Sequence, residues 1–121
     1  MRATYRFMQT REGVTAFASD EVVSQDSDKW AVSWDESPSH LQAIYGEAVE
    51  AGIRLAATAY EQRGGVPQQI KIVSLVETAF DTKADAVACA TSLALWKAWG
   101  YRESDATIAF ADGAWNVQFT T

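Results

Sequence analysis

Apolar residues recur along this chain with two periods, and the switches between the periods predict its elements. "TYRFMQ" alternates, with Tyr5 and Phe7 on one face; "TREG" offers a turn and "VTAFAS" a returning strand, so the spacing predicts a hairpin. After the polar "SQDSD", the segment "KWAVSWDES" places Trp30, Val32 and Trp34 on one side of a third strand. In "SPSHLQAIYGEAVEAGIRLAATAYEQRGG" the period becomes helical. Leu41, Ile44, Tyr45, Ala48, Val49, Ile53, Ala56 and Tyr60 form one stripe. Ser39 with Gln42 three residues on resembles a capping box behind Pro38, and Gly64 and Gly65 supply the stop, which predicts a helix over about 40–63.

"QQIKIVSLVE" follows Pro67, is rich in branched residues and is apolar on both faces, so it reads as an interior strand. A short polar stretch then leads into a second helix, "ADAVACATSLALWKAWG", with Thr82 as its expected N-cap, Asp85 at its third position and Gly100 as its stop. In that reading Asp81, Thr82 and Asp85 satisfy backbone donors and favour the helix dipole. The helix has few polar residues on any side: Val87, Ala90, Ala94, Leu95 and Ala98 can face a sheet, while Cys89, Leu93 and Trp96 make a second stripe. That stripe needs cover, from the first helix and the C-terminal strands or from a partner or second copy. "DATIAFADGAWNVQF" is a hairpin about Asp112-Gly113, a pair that favours the turn whose twist matches its strands. The expected fold is α+β, a mixed sheet with two helices on one face, in the order β-β-β-α-β-α-β-β. The expected organisation is one domain over 1–121.

Composition narrows the function. Sixteen acidic against ten basic residues, a net charge of -6, disfavour direct nucleic-acid binding. Asp20, Glu21, Asp26, Asp28, Asp35 and Glu36 crowd one segment, read as a solvated loop and sheet edge or as a face for a cationic partner. The single cysteine excludes an intrachain disulfide and a cysteine-rich zinc site. A reducing, cytoplasmic location is expected, since the start is broken by arginines and no stretch approaches the roughly 20 apolar residues of a membrane span.

Candidate chemistry is sparse. His40, the only histidine, sits where a helix begins and suits a solvated or capping role; Cys89, flanked by alanines in mid-helix, suits packing. Glu77, Asp81 and Asp85 could converge near the strand-to-helix tip, but their spacing makes no dense cation loop. No phosphate-binding GxxxxGK[ST] loop is present, and no cofactor, metal or catalytic residue is assigned.

Two stretches carry a family resemblance: "GEAVEAGIRLA" from Gly46 to Ala56, and "GGVPQQIKIVSLVE" running on to "DTKADAVACATSLALWKA". Over Tyr45 to Ala98, under half of the chain, they resemble the fourth domain of translation elongation factor G. The resemblance implies a mixed sheet with both helices on one face, as in the second domain of a small-subunit ribosomal protein. In that family the strand-to-helix tip carries a glycine and a histidine and reaches into the ribosomal decoding centre. Here the tip is about three residues shorter, and Thr78, Ala79 and Phe80 stand where those residues would be expected.

Three functions are therefore expected in order. The first is a non-enzymatic interaction domain of that type, acting through its open sheet face or edges by protein docking or self-association, with Trp30, Trp34, Asp26, Asp28, Asp35, Leu93 and Trp96 as the interaction residues. The second is a small acidic inhibitor or immunity-type protein that binds a cationic partner. The third is a small-molecule enzyme with a carboxylate site near Glu77 and Asp81.

Overall fold

The alternation at the N-terminus folds as a hairpin of two long strands, β1 (Arg2–Arg11) and β2 (Val14–Asp26), in the computed structural model, which describes residues 1–36 and 39–120. Glu12 and Gly13 make the turn with both φ angles positive, 53° and 79°, the twist that a two-residue hairpin favours. The short strand β3 (Ala31–Trp34) follows, then helix α1 (Gln42–Gln62), strand β4 (Gln68–Val76), helix α2 (Ala84–Ala98), and the strands β5 (Ala106–Ala111) and β6 (Ala114–Phe119). The element order is the expected one, and the class is α+β.

β1, β2, β4 and β3 lie side by side in that order, antiparallel except for β3 and β4, which run parallel and are joined through α1. Ala18, Val22, Ile70 and Ile72 face the helices and are fully buried, while their neighbours Val23, Gln69 and Lys71 lie on the other, largely polar face. Both helices pack on that single buried face. β5 and β6 form a separate two-stranded sheet about Asp112 and Gly113, which have φ angles of 54° and 80°. The hairpin therefore does not extend the main sheet; it lies on the far side of α2, where Cys89 meets Trp115 and Val117 and the Trp96 ring stacks on Phe119 at 4.3 Å.

Both expected helix starts need correction. Ser39 begins a single 3-10 turn, Ser39–Leu41, and α1 starts after Leu41 with no side-chain cap among the described residues. Pro38, part of that expectation, lies outside the described residues. At α2 the cap position falls to Lys83, again without a side-chain hydrogen bond. Thr82 instead accepts from the Thr78 amide at 2.9 Å and donates to the Phe17 carbonyl at 2.6 Å, so it ties the loop to β2 rather than to the helix. Asp85 receives its own neighbour's amide, Ala86, at 2.9 Å and the Trp115 amide at 2.8 Å, pinning the C-terminal hairpin to the first turn of α2.

The helices touch at a glycine. A Cβ on Gly52 of α1 would stand 2.5 Å from the Ala88 carbonyl oxygen and 3.0 Å from the Thr91 Cβ. Because the nearest obstacle is backbone, the helices cannot accommodate even a methyl group without separating.

One residue of the acidic segment leaves the surface, against expectation, while Asp26, Asp28 and Glu36 are exposed. Asp20 points inward from β2 and is fully buried, since the strand's inward register takes every second residue and this one falls on it. The Thr91 hydroxyl donates to one carboxyl oxygen, and the other, Oδ1, has no partner among the described residues. Burial pushes this carboxyl up from 3.8 to about 7, with the Thr91 hydrogen bond opposing the shift. A second buried network joins the Trp99 indole to Ser24 Oγ at 2.9 Å, Ser24 to Gln68 at 2.7 Å, and Gln68 to Asp26 at 2.7 Å.

Two outcomes follow from this core. Gly52→Ala should destabilise the protein by about 1–3 kcal/mol in urea unfolding, the usual penalty of overpacking; an unchanged midpoint would mean that the helices are further apart. For Asp20 the folded state holds its proton more tightly than the unfolded chain, so its contribution is fully present below about pH 4 and is lost as pH rises through about 7. Asp20→Asn should flatten the fall in unfolding free energy between pH 4 and 8, an effect on the order of 2–4 kcal/mol. A wild-type curve already flat over that range would contradict the burial.

Candidate functional site

The sheet directs several loops to one end of the molecule. The Glu12-Gly13 turn, the loop between β4 and α2, the start of α1 and the Asp112-Gly113 turn all lie there. The Phe17 amide donates to the Asp81 carbonyl at 2.9 Å, which continues the β2 edge into the loop, and the Tyr45 hydroxyl of α1 donates to Glu77 at 2.7 Å. Arg11 lies 4.8 Å from the Phe110 ring centre and brings the C-terminal turn to the N-terminal one. Braced in this way, the loop holds Phe80 out into solvent, 93% exposed. Met8, Val14, Ile44 and Val76 are also exposed at this end. Met1, Val32, Leu55 and Val66 are exposed elsewhere, but each is 49% exposed or less and none is aromatic, so the ring of Phe80 stands out at this end.

The carboxylates expected to converge here do not share a partner: Glu77 and Asp85 hold different groups, and among the described residues Asp81 contributes only backbone. Glu77 is exposed and holds the Tyr45 hydroxyl, whose own titration is pushed up to about 12 by burial and by that bond. Asp81 contributes its backbone carbonyl to Phe17. Among the described residues no three His, Cys, Asp or Glu side chains stand together as a metal site. Cys89 is buried, and burial pushes its thiol up to about 12, the setting of an inert packing residue. His40 lies exposed on the 3-10 turn before α1.

The residues expected to form an interaction surface are scattered by the fold. Trp30 and Trp34 lie on the helix side of β3, not on the open face. Trp30 is half-buried against Tyr60 and Trp99, with ring centres 6.5 and 6.1 Å away, and its indole N–H is buried without a partner among the described residues. Leu93 and Trp96 are 2% and 1% exposed, covered from within the chain by the C-terminal hairpin and by Tyr101, so neither offers a surface. Asp26 accepts from Gln68, Asp35 pairs with Lys71 at 3.8 Å, and Asp28 is exposed. These acids make no common face with Asp20, which is in the core.

A cleft that the sequence did not signal lies beside β1. It holds about 280 Å³ between Tyr5, Leu93, Trp96, Lys97, Tyr101 and Glu103. The half-buried rings of Tyr5 and Tyr101 give it aromatic walls, and Trp96 lies enclosed behind Tyr101, stacked on it at 4.3 Å with Arg63 over both rings. Polar groups rim it. The Tyr5 hydroxyl donates to Glu103, and burial with that bond raises the phenol far above its ordinary range. Lys97 donates to the Thr4 carbonyl at 3.2 Å. The residues come from β1, α2 and the turn after α2, a long-range assembly that no local spacing displays.

No family model matches the chain, and no curated protein matches it. Among solved structures it is similar to a crystal structure of a protein from Thermus thermophilus, with a TM-score of 0.69 and 17% identity over 96% of this chain. The chain spans only 22% of that protein's length. At this identity the likeness shows the fold alone, and no helix of the described residues is long and apolar enough to cross a membrane.

Proposed function

We propose that this chain is a non-enzymatic interaction domain of the elongation factor G domain IV type that docks on a protein surface by the end bearing Phe80. The observation that carries this reading is the 93% exposure of Phe80 on a loop braced by backbone and side-chain hydrogen bonds. An aromatic ring held in water by a rigid loop is the kind of group that anchors an interface, because burying it on a partner requires little ordering. The element order and the residues Tyr45 to Ala98 supply the family likeness, in which the equivalent tip is the part that enters its binding site. A net charge of -6 and a phenylalanine in place of the family's tip residues favour a protein surface over RNA. A ribosome-linked role rests on the likeness alone.

The acidic-inhibitor reading is less well supported, since its acids are divided among the core, a buried network and a surface pair. The enzyme reading is likewise weaker, since the Glu77 carboxylate is held by the Tyr45 hydroxyl and no cluster of three His, Cys, Asp or Glu side chains stands there among the described residues.

A photoreactive phenylalanine analogue placed at 80 in cells tests the proposal, with the same probe at Gln62, exposed at the end of α1, as control. Position 80 should give an adduct of defined mass that position 62 does not, and a homodimer mass would identify self-association as the form of docking. Identical adduct patterns at both positions would overturn the reading. Phe80→Ser should leave unfolding free energy within about 0.5 kcal/mol of wild type, as an exposed side chain does, while removing the adduct partner from co-purification.

A further inference from the structure

β1 is an edge strand with an open outer side. Met1 and Ser24 exchange both backbone hydrogen bonds, at 2.9 and 2.8 Å, which sets the alternation of the ladder. Residues 3, 5, 7 and 9 therefore turn their N–H and C=O groups toward β2, whereas Arg2, Thr4, Arg6, Met8 and Thr10 turn theirs outward. The hydrogen bond from Lys97 to the Thr4 carbonyl reaches this outer side and agrees with that assignment. Edge strands are ordinarily blunted by shortness, a bulge or a proline. β1 has ten residues in unbroken register with no bulge or proline, while the bulge in this sheet falls between β2 and β4; the protection of β1 is limited to its three arginines and to Lys97, which holds the outward Thr4 carbonyl.

The strand's charge is opposite to that of the molecule. Arg2, Arg6 and Arg11 all lie on β1, which has no acid, in a chain of net charge -6. Arg2 pairs with Glu21 at 2.6 Å. Arg6 and Arg11 rest over aromatic rings, and among the described residues neither makes an ion pair. On the helix side of the same edge lies the aromatic-walled cleft beside Tyr5.

We propose that β1 is a strand-addition site for an extended segment of a partner protein in which acidic residues alternate with apolar ones. Side chains of an added strand alternate between the two faces. One set would project over the open face beside Arg2 and Arg6, where carboxylates fit. The other would project over the cleft, where an apolar side chain meets Tyr5 and Tyr101. A second copy of β1 lacks this complementarity, because it would set arginines against arginines.

The probe is a labelled ten-residue peptide alternating glutamate with valine, titrated into the full chain by fluorescence anisotropy and by amide exchange. Saturable binding should weaken about tenfold or more between low and high salt, as screened charge pairs require. Arg6→Glu, an exposed change that circular dichroism can check for folding, should weaken it by a further factor of about ten. The outward amides of Thr4, Arg6 and Met8 should gain protection, and N-methylation of one of the two alternate sets of peptide residues should abolish binding. No binding overturns the proposal. So does equal binding by a lysine-for-glutamate peptide, by both methylated peptides or by a single-stranded oligonucleotide, or protection confined to the Phe80 end.

Discussion

The structure depends on the burial of α2 on every side. Ten of its fifteen residues are buried, an arrangement that one sheet cannot produce, because a sheet covers only one face of a helix. Three elements share the covering of this helix: the main sheet takes one face, α1 a second, and the C-terminal hairpin the side of Cys89 and Trp96. Alanines make this possible. Ala86, Ala90 and Ala94 are fully buried and keep the helix narrow, so that three layers can approach it without leaving voids. Gly52 does the same from the side of α1.

A helix so enclosed imposes conditions on its neighbours. Polar groups that the strands' alternation turns inward must find partners on the helix or at its end, as Asp20 does with Thr91 and Ser24 with Trp99 just past Ala98. Asp20 finds one partner for two oxygens, and the shortfall appears as a raised titration point rather than as a broken fold. The hairpin, which has no contact with the sheet's hydrogen-bond ladder, is held by stacking on Trp96 and by the Trp115 amide on Asp85. Residues at the N-terminus of α2 thus do what a conventional cap would do and also fasten a separate element.

Much of the architecture was legible because it rests on local periodicity. The two positive-φ turns, the interior strand after Pro67 and the two oily stripes of α2 are written in neighbouring residues, and the element order followed from them. The two helix caps were misread because Ser39 and Thr82 carry the right chemistry at positions where the chain uses other contacts; Thr82 is drawn away by Phe17, 65 residues distant. Asp20 was assigned to the surface by its acidic neighbours, although strand alternation alone would have turned it inward. The sites were the least legible. The cleft joins Tyr5, Lys97 and Glu103 from three elements, and the open edge of β1 depends on which strand takes the centre of the sheet. No single-chain pattern encodes either fact, and the exposure of Phe80 likewise depends on contacts of the loop with β2 that lie far apart in sequence.

The surface that results is uneven. Its open sheet face is largely polar and its acids are dispersed, so attention falls on one aromatic end and one basic edge. Both exist because the interior is already complete without a partner: α2 is enclosed by its own chain. Hydrogen exchange of the α2 backbone amides tests that claim most directly. If the helix is enclosed on every side, the amides from Ala90 to Leu95 open only with global unfolding and are as slow as those at the centre of β2 and β4. Exchange in α2 markedly faster than in the central strands would mean that the hairpin leaves readily and that the helix is covered on fewer sides than the structure describes.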